Sequence, residues 1–375
     1  MHLNFSTKAL LRGIRRSQSP LERRDRPTPP QVSNPQTAKF DFWLYSIISV
    51  IIFSGAGLLN WLIDPLWYSH GNQLTNKNFA FNERISKTNL FLRTKDSGYD
   101  CLILGSSRAI ALRASAFKNQ RCFNYAIKGG NIRDFIAYAK FLKEQGLIPK
   151  TVYVGVDEFN LVAGQEIEKA GEDAEHIATP SVYHAFFSAD VFLFSLMTLA
   201  GVSPDKAQYY DRNFEVADFE HPPQYTPQFT QKLSPQQCNL SKVGLFNQLR
   251  NIFPDAKYVG YVPPRSAWSV VNETYSRNLT DCTLQGFYQI SQSYDVFYDF
   301  SIPSAVTQEP RNTFDGSHFF TPTNDRIAAI LQAENQASAF GIQVNAYKFE
   351  TYKKRYKDQI QAFLKQENAL DRWQN

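Results

Sequence analysis

Short apolar runs alternate with stretches of helical periodicity through the middle of the chain. Five runs have the length and apolar content of buried strands, at residues 101–104, 121–127, 151–156, 258–262 and 296–300. Helical patterns separate or follow them, at 109–117, 132–145, 323–339 and 344–373. This alternation predicts an α/β fold, a three-layer α/β/α arrangement around a mostly parallel five-stranded sheet, with ligands bound at the carboxyl ends of the strands.

A different pattern precedes the sheet: residues 42–63 form 22 positions without a charged side chain. As a helix, this stretch is long enough to cross the roughly 30 Å hydrocarbon layer of a membrane. A buried core helix and a cleaved signal peptide are the alternatives. The stretch is longer than the apolar region of a signal peptide, and no small-x-small cleavage site follows Ile63. We therefore expect a transmembrane helix over residues 41–64.

Positive charge is concentrated before this helix. Residues 1–40 contain eight basic and two acidic side chains, a net charge of +6, whereas the whole chain has a formal net charge of +5. The rest is close to neutral, which removes the electrostatic basis for nucleic-acid binding by the main domain. Because basic residues beside a membrane helix stay cytoplasmic, we expect residues 1–40 to be a disordered cytoplasmic tail. The main domain is then periplasmic or extracellular, and the kingdom is left open.

Composition divides the remaining chain into three parts. Residues 65–98 are polar and irregular and are expected to connect the membrane helix to an α/β domain at 99–340. A C-terminal helix is expected at 341–375. A long insertion at 161–240 separates the third and fourth strands, and both a substrate-binding lid and a subdomain without a site remain open for it.

The four cysteines lie in two kinds of sequence context. Cys101 and Cys122 lie in strand-like runs and are expected to be buried thiols. Cys238 and Cys282 lie among polar residues and could form a disulfide in an oxidising compartment. No cysteine or histidine pair has metal-ligand spacing, so we expect neither a metal site nor a cofactor.

The candidate chemistry begins where the first strand ends. Gly-Ser-Ser at 105–107 follows the strand directly, and a hydroxyl on such a turn is either a helix cap or an exposed nucleophile. After the last predicted strand, Asp315 precedes His318 by three positions in a glycine-containing loop. A carboxylate and an imidazole at the same sheet edge can activate a serine, which favours Ser107, and less strongly Ser106, as a nucleophile.

These blocks resemble those of the SGNH (GDSL-type) hydrolase superfamily. That family has a Gly-Asp-Ser turn after the first strand, a glycine after the second, an asparagine block after the third and a closing Asp-x-x-His. The corresponding blocks here are Gly-Ser-Ser at 105–107, Asn-Tyr-Ala-Ile-Lys-Gly at 124–129, Gly-Val-Asp-Glu at 155–158 and Asp-Gly-Ser-His at 315–318. The resemblance covers residues 99–335, apart from most of the insertion.

The resemblance implies a catalytic role for three residues. Ser107 would be the nucleophile, His318 the general base and Asp315 the carboxylate that orients the imidazole. Ser106 stands where the family has aspartate and would be a structural neighbour of the nucleophile.

The resemblance also implies an oxyanion hole, the group of donors that stabilises negative charge on the substrate oxygen. The backbone N–H groups of Ser107 and Gly129 would contribute, with Asn160 or another donor as the third member. The third block departs from the family pattern, because Asp157 stands where the family has asparagine. An ionised carboxylate can only accept hydrogen bonds, so transition-state stabilisation would be weaker.

A Gly-Ser-Ser block behind a single membrane helix resembles the anchored members that serve cell-envelope O-acetylation and teichoic acid D-alanylation. This implies a serine esterase or O-acyltransferase that acts on an extracytoplasmic polysaccharide or acylated glycan through an acyl-enzyme on Ser107. Its partners would be the lipid bilayer, the glycan and an integral membrane O-acyltransferase, and not nucleic acid. A non-catalytic envelope assembly or glycan-binding protein is the alternative, favoured by Asp157 and the aromatic insertion. The acyl group, the polymer, the acceptor and the oligomeric state are left open.

Overall fold

The computed structural model describes residues 35–75, 77–163, 182–204, 208–219, 222–230, 233–234, 236–333 and 339–372. The chain divides into two compact units, Met1–Ile51 and Ile52–Asn375. Most of the predicted disordered tail and residues 164–181 of the insertion lie outside the described residues.

The first described element is helix α1, Pro35–Ile63. Its part Lys39–Ile63 extends over 25 residues with a mean hydropathy of 2.0. At 1.5 Å per residue this is about 37 Å, enough to cross a membrane. The expected N-terminal apolar helix is confirmed, and its orientation across a membrane stays a prediction. Directly after the helix, the Asp64 carboxylate accepts four backbone N–H groups, from residues 68–71, and so stabilises the turn that follows the helix.

Within the described residues, eight strands form two sheets. The strands are β1 (Cys101–Leu104), β2 (Cys122–Asn124), β3 (Thr151–Gly155), β4 (Gln208–Tyr210), β5 (Val216–Phe219), β6 (Lys257–Val262), β7 (Val296–Asp299) and β8 (Ile342–Gln343). The main sheet has the order β2-β1-β3-β6-β7-β8, and β4 pairs with β5 in a separate antiparallel ribbon. Strands β2, β1, β3, β6 and β7 are parallel, whereas β8 runs antiparallel to β7.

The predicted α/β fold with a mostly parallel sheet is confirmed, but the main sheet has six strands and not five. The five predicted runs correspond to its five parallel strands. The additional strand is β8, and its two residues are too few to show an alternating pattern in the sequence.

Helices alternate with the strands in the part of the chain that the structure describes. They are α2 (Glu83–Thr94), α3 (Ile132–Glu144), α4 (Val182–Phe186), α5 (Ala189–Leu199), α6 (Val243–Arg250), α7 (Ala267–Tyr275), α8 (Thr280–Ser291), α9 (Thr321–Ala333) and α10 (Phe349–Gln366). Helix α3 buries the predicted apolar face, including Ile132, Phe135 and Leu142. A capping box formed by Asn131 and Asp134 begins this helix.

The prediction of a helix at 109–117 is wrong. The chain forms two short 3₁₀ turns there, Ser107–Ala109 and Ala114–Ala116. The cause is the side-chain amide of Asn124 at the end of β2. It donates to the carbonyl oxygens of residues 109, 110 and 112 at 3.1, 3.4 and 2.8 Å. A continued α-helix would need those carbonyl groups for its own hydrogen bonds.

Both cysteine pairs form disulfides. Cys101 and Cys122 are register partners on the neighbouring strands β1 and β2, with Cα atoms 4.2 Å apart. The expectation of two thiols is therefore wrong, because strand pairing brings these buried side chains together. Cys238 and Cys282 are also joined, with Cα atoms 5.8 Å apart. Two disulfides are consistent with folding in an oxidising compartment.

Candidate active site

The turn after β1 places Ser106 and Ser107 in different surroundings. Ser106 is buried, and its hydroxyl accepts the backbone N–H of Arg108 at 3.3 Å, so it caps the following 3₁₀ turn. Ser107 is partly exposed, and its Oγ lies 2.8 Å from Nε2 of His318. Of the two serines, Ser106 is therefore the one that caps the turn, and the hydroxyl of Ser107 is not used for capping.

His318 lies in a local loop that precedes α9. Asp315 Oδ1 accepts the backbone N–H groups of Ser317 and His318, both at 2.8 Å, and Oδ2 lies 2.7 Å from Nδ1 of His318. Gly316 has a φ of +83°, a left-handed conformation that favours glycine. The imidazole also stacks on Phe314, with ring centroids 5.4 Å apart. The loop thus orients the imidazole in two ways: Asp315 contacts Nδ1, and the ring of Phe314 packs against one face.

The ionisation of Asp315 determines the direction of these hydrogen bonds. Burial raises the pKa of its carboxyl group, but the hydrogen bond and charge of His318 and two backbone N–H groups outweigh this and lower the pKa. A carboxylate can only accept, so Nδ1 of His318 carries a proton, and in the neutral form of the imidazole Nε2 is the acceptor. The Ser107 hydroxyl then donates to Nε2. The side chains of His318 and Asp315 are 32 % and 36 % exposed, so a substrate can reach them.

Two backbone N–H groups near this serine are available to bind a negatively charged oxygen. Ile127 N–H donates to the Gly105 carbonyl oxygen at 3.0 Å, which places the segment leading to Gly129 beside the serine turn. Gly129 itself has a φ of +66°. Among the described residues, none accepts a hydrogen bond from the N–H of Ser107 or of Gly129. These are free donors of the kind that an oxyanion hole requires.

Asn160, the third predicted donor, is buried with its side chain engaged. One N–H of its amide donates to the Asp157 carbonyl oxygen at 3.2 Å, and its Oδ1 accepts the N–H of Ile132 at 3.2 Å. The side chain therefore joins the loop after β3 to the start of α3. Its contribution to an oxyanion hole stays a prediction.

Asp157 and Glu158 both lie next to Arg108, between the ends of β1 and β3. Arg108 donates to the two carboxylate oxygens of Glu158 at 2.6 and 2.8 Å. Burial raises the pKa of Glu158, but the charges of Arg108 and Arg265 outweigh burial and lower that pKa well below its ordinary value. Glu158 is therefore a partly buried, ionised partner for the arginine.

The carboxyl group of Asp157 has fewer stabilising contacts than that of Glu158. Its Oδ1 lies 3.2 Å from a guanidinium nitrogen of Arg108, yet neither carboxyl oxygen accepts a well-directed hydrogen bond from any part of the chain that the structure describes. Burial, only partly offset by the arginine charge, raises the pKa of this carboxyl group. Position 157 therefore holds a buried acid whose contacts with Arg108 and Ser106 are poorly directed, where the sequence resemblance implies an amide.

The pairing of Arg108 with Glu158 was missed from the sequence. The available signal was a pair of opposite charges shortly after two predicted strands, but their contact depends on β1 and β3 being neighbours. Arg265, which follows β6, extends the network to Glu158 at 3.6 Å and to Glu273 at 3.1 Å. The carboxyl ends of three parallel strands are thus tied together by charge.

An aromatic cluster leads from His318 to a surface groove. Phe314, which stacks on the imidazole, has ring centroids 5.2 Å from Phe219 and 5.8 Å from Phe320. The groove is a cavity of about 340 Å³ lined by Phe219, Arg311, Asn312 and residues 320–323. It offers aromatic faces and polar groups next to the histidine loop.

Metal-binding side chains are not clustered in the described part of the chain. Within the described ranges, no group of three or more histidine, cysteine, aspartate or glutamate side chains is arranged to hold one. The expectation that the site works without a metal or cofactor stays a prediction.

Comparisons with known proteins leave the family of this chain undetermined. No family model and no curated protein matches it. It is similar to a solved structure from Streptococcus pneumonia, described provisionally as a platelet activating factor, with 10% sequence identity and a TM-score of 0.35. The similarity covers 77% of this chain and 98% of that one. The fold described above therefore rests on the strand order itself.

Proposed function

We propose that the chain is a membrane-anchored serine esterase or O-acyltransferase of the SGNH (GDSL-type) kind, with its three-layer α/β/α arrangement, acting on an extracytoplasmic polysaccharide. The observation that carries the proposal is the hydrogen-bonded series from Ser107 through His318 to Asp315, with contacts of 2.8 and 2.7 Å. A serine, an imidazole and a carboxylate in this order activate the serine oxygen in acyl-transfer enzymes.

In the first half of the proposed reaction, Ser107 Oγ attacks the carbonyl carbon of an acyl ester while Nε2 of His318 takes the hydroxyl proton. Negative charge develops on the carbonyl oxygen, and the N–H groups of Ser107 and Gly129 stabilise it. The ester C–O bond then breaks, and His318 returns the proton to the leaving alcohol. Asp315 keeps the imidazole in the tautomer and orientation that both proton transfers need.

In the second half, a water molecule or a sugar hydroxyl attacks the acyl group on Ser107. His318 takes the proton of this acceptor and returns it to the serine oxygen as the acyl–serine bond breaks. Water as acceptor gives hydrolysis, and a sugar hydroxyl gives acyl transfer.

The third sequence block sets the expected rate. The carboxyl group of Asp157 supplies no N–H, and one N–H and the oxygen of the Asn160 amide are engaged with the backbone. Losing one oxyanion donor lowers the rate of other acyl-transfer enzymes about 10²–10³-fold. We therefore expect slow turnover of simple esters, with binding of the polymer contributing to catalysis.

The location and the substrate class are supported by features outside the reacting groups. Helix α1 is long and apolar enough to span a membrane, and the basic residues before it favour a cytoplasmic N-terminus. The groove next to Phe314 combines aromatic faces for the C–H surface of a sugar with the polar side chains of Arg311 and Asn312. An integral membrane O-acyltransferase would supply the acyl group at the outer face.

Serine labelling tests the proposal. The full-length protein in detergent is treated with a fluorescent fluorophosphonate, which reacts covalently with an activated serine. We expect labelling of the wild-type chain, and loss of labelling in Ser107→Ala and His318→Ala. Ser106→Ala is the matched control, since it removes the neighbouring hydroxyl and should keep the label. Undiminished labelling of Ser107→Ala would show that the nucleophile is assigned wrongly.

One observation favours a non-catalytic role on the same scaffold, namely the buried carboxyl group of Asp157 without a hydrogen bond. Complementation of a deletion strain separates the two functions. Catalysis requires that Ser107→Ala and His318→Ala both fail to restore the phenotype. If both variants restore it, envelope assembly or glycan binding is the function.

A further inference from the structure

Helix α5 within the insertion exposes its leucines, although its Val191 is buried and its Asp190 is exposed as expected for a helix at a water-facing surface. Its Leu193, Leu196 and Leu199 are 53 %, 43 % and 45 % exposed, whereas Ser195 is completely buried. A helix on a soluble surface places its apolar residues inwards and its polar residues outwards. The outer face of α5 is therefore suited to an apolar surrounding.

The same surface continues on both sides of α5. Tyr183, Phe187 and Val202 are also exposed. We call residues 182–202 the apolar segment. In its sequence, Asp190 is the only aspartate, glutamate, lysine or arginine. A contiguous exposed apolar surface with so little charge marks a contact with a membrane or a partner and not a solvated face.

Packing against α1 favours the membrane over a soluble partner. A Cβ atom at Gly57 would lie 2.8 Å from the ring of Phe187, so the glycine allows the ring to pack directly on the helix backbone. Gly57 precedes the end of α1 at Ile63 by six residues, or about 9 Å along the helix axis. Phe187 therefore contacts the apolar helix well inside its length and not beyond its end.

Polar groups at this junction satisfy one another. The amide of Asn60 donates to the carbonyl oxygens of Phe186 and Ser188 at 2.6 and 3.3 Å, and its Oδ1 accepts the hydroxyl of Ser195 at 3.1 Å. The Phe186 carbonyl group lies where α4 ends, and a helix end has no partner of its own for it. The Ser188 carbonyl oxygen also accepts the N–H of Phe192 at the start of α5. In hydrocarbon such groups must be satisfied within the protein, and Asn60 does this.

We propose that the apolar segment inserts into the outer leaflet of the membrane beside α1, with lipid acyl chains covering the leucine face of α5. Helix α5 has 11 residues and is about 16 Å long, too short to cross a hydrocarbon layer of about 30 Å. The segment therefore enters and leaves on the same side and gives the main domain a second attachment to the bilayer. The inference rests on α1 crossing the membrane, and not on the chemistry of Ser107.

Depth-dependent fluorescence quenching tests this insertion. All four native cysteines are in disulfides, so a single introduced cysteine can be labelled selectively with an environment-sensitive dye. The full-length protein with Leu196→Cys is reconstituted into phosphatidylcholine vesicles that carry a nitroxide on the acyl chain. Leu58→Cys, on the exposed surface of α1, is the positive control, and Ile148→Cys, an exposed apolar position between α3 and β3, is the negative control.

We expect the nitroxide lipid to quench the label at Leu196→Cys as strongly as the label at Leu58→Cys, and to leave Ile148→Cys bright. Quenching at position 196 by aqueous iodide instead would place the face in water and overturn the proposal. Protection from both quenchers would mean that another protein surface covers the face, which also overturns it. If Leu58→Cys itself is not quenched by the lipid, α1 does not span the bilayer and the insertion fails with it, while serine labelling is unaffected.

Discussion

Replacing Glu158 with glutamine should destabilise the main domain by about 3–5 kcal/mol, the usual cost of leaving a buried charge without its partner. The side chains of Arg108 and Glu158 are 12 % and 13 % exposed, so water cannot replace the lost interaction. Glutamine has nearly the same shape and keeps one acceptor oxygen. The guanidinium would then be left with a neutral neighbour and the poorly directed contact to Asp157.

The pH dependence provides a second measurement of the same interaction. The pKa of Glu158 is lowered in the folded protein, so its contribution to stability is complete above the ordinary value of 4.5 and is lost as the pH falls towards the folded value. The Glu158→Gln variant lacks this titration. The difference in free energy of unfolding between the wild type and the variant should therefore shrink as the pH is lowered below about 4.5.

Urea denaturation of the full-length protein in one detergent, followed by tryptophan fluorescence, measures both effects. Asp358→Asn is the matched control because it removes the same charge from an exposed pair with Lys354, which should cost about 0.5 kcal/mol or less. If Glu158→Gln is no more destabilised than this control at neutral pH, Glu158 does not compensate the charge of Arg108 and the reasoning is refuted.

Three further changes have defined outcomes. Replacing Cys101 and Cys122 together with alanine should cost about 3 kcal/mol, because it opens a loop of 21 residues in the unfolded chain, and an unchanged urea midpoint would contradict this. Asp157→Asn should raise the hydrolysis of p-nitrophenyl acetate about tenfold or more, since an amide can donate to the oxyanion and accept from Arg108; an equal or lower rate would exclude position 157 as the third donor. Asp315→Asn should lower the same rate about 10³–10⁴-fold, because an amide does not hold the required imidazole tautomer, and a loss below tenfold would argue against that role.

The strand ends, the serine turn and the histidine loop could be predicted from the sequence because their signals are local. The apolar run at 101–104 and the turn after it fix where Ser107 lies along the chain, and the spacing of Asp315 and His318 allows one loop to join them. The carboxyl ends of parallel strands lie at the same edge of a sheet, so Ser107, Asp315 and His318 were expected to lie together there. The structure brings their atoms within hydrogen-bond distance, and their catalytic roles remain the proposal tested above.

The contacts between side chains from distant segments could not be predicted from the sequence. The contact of Arg108 with Glu158 depends on β1 and β3 being neighbours in the sheet. The absence of a helix at 109–117 depends on the amide of Asn124, which comes from the next strand. The exposure of the α5 leucines has meaning only once its packing against α1 is known.

By itself, the sequence determined an apolar helix long enough for a membrane, an alternating α/β pattern and the positions of the serine turn and the histidine loop. Each of these depends on residues within a single helix, strand or turn. Only the tertiary structure decided that Cys101 pairs with Cys122, that Arg108 donates its hydrogen bonds to Glu158 and not to Asp157, and which face of α5 is uncovered. These outcomes depend on distance, register and burial, which exist only after segments far apart in the chain have packed together.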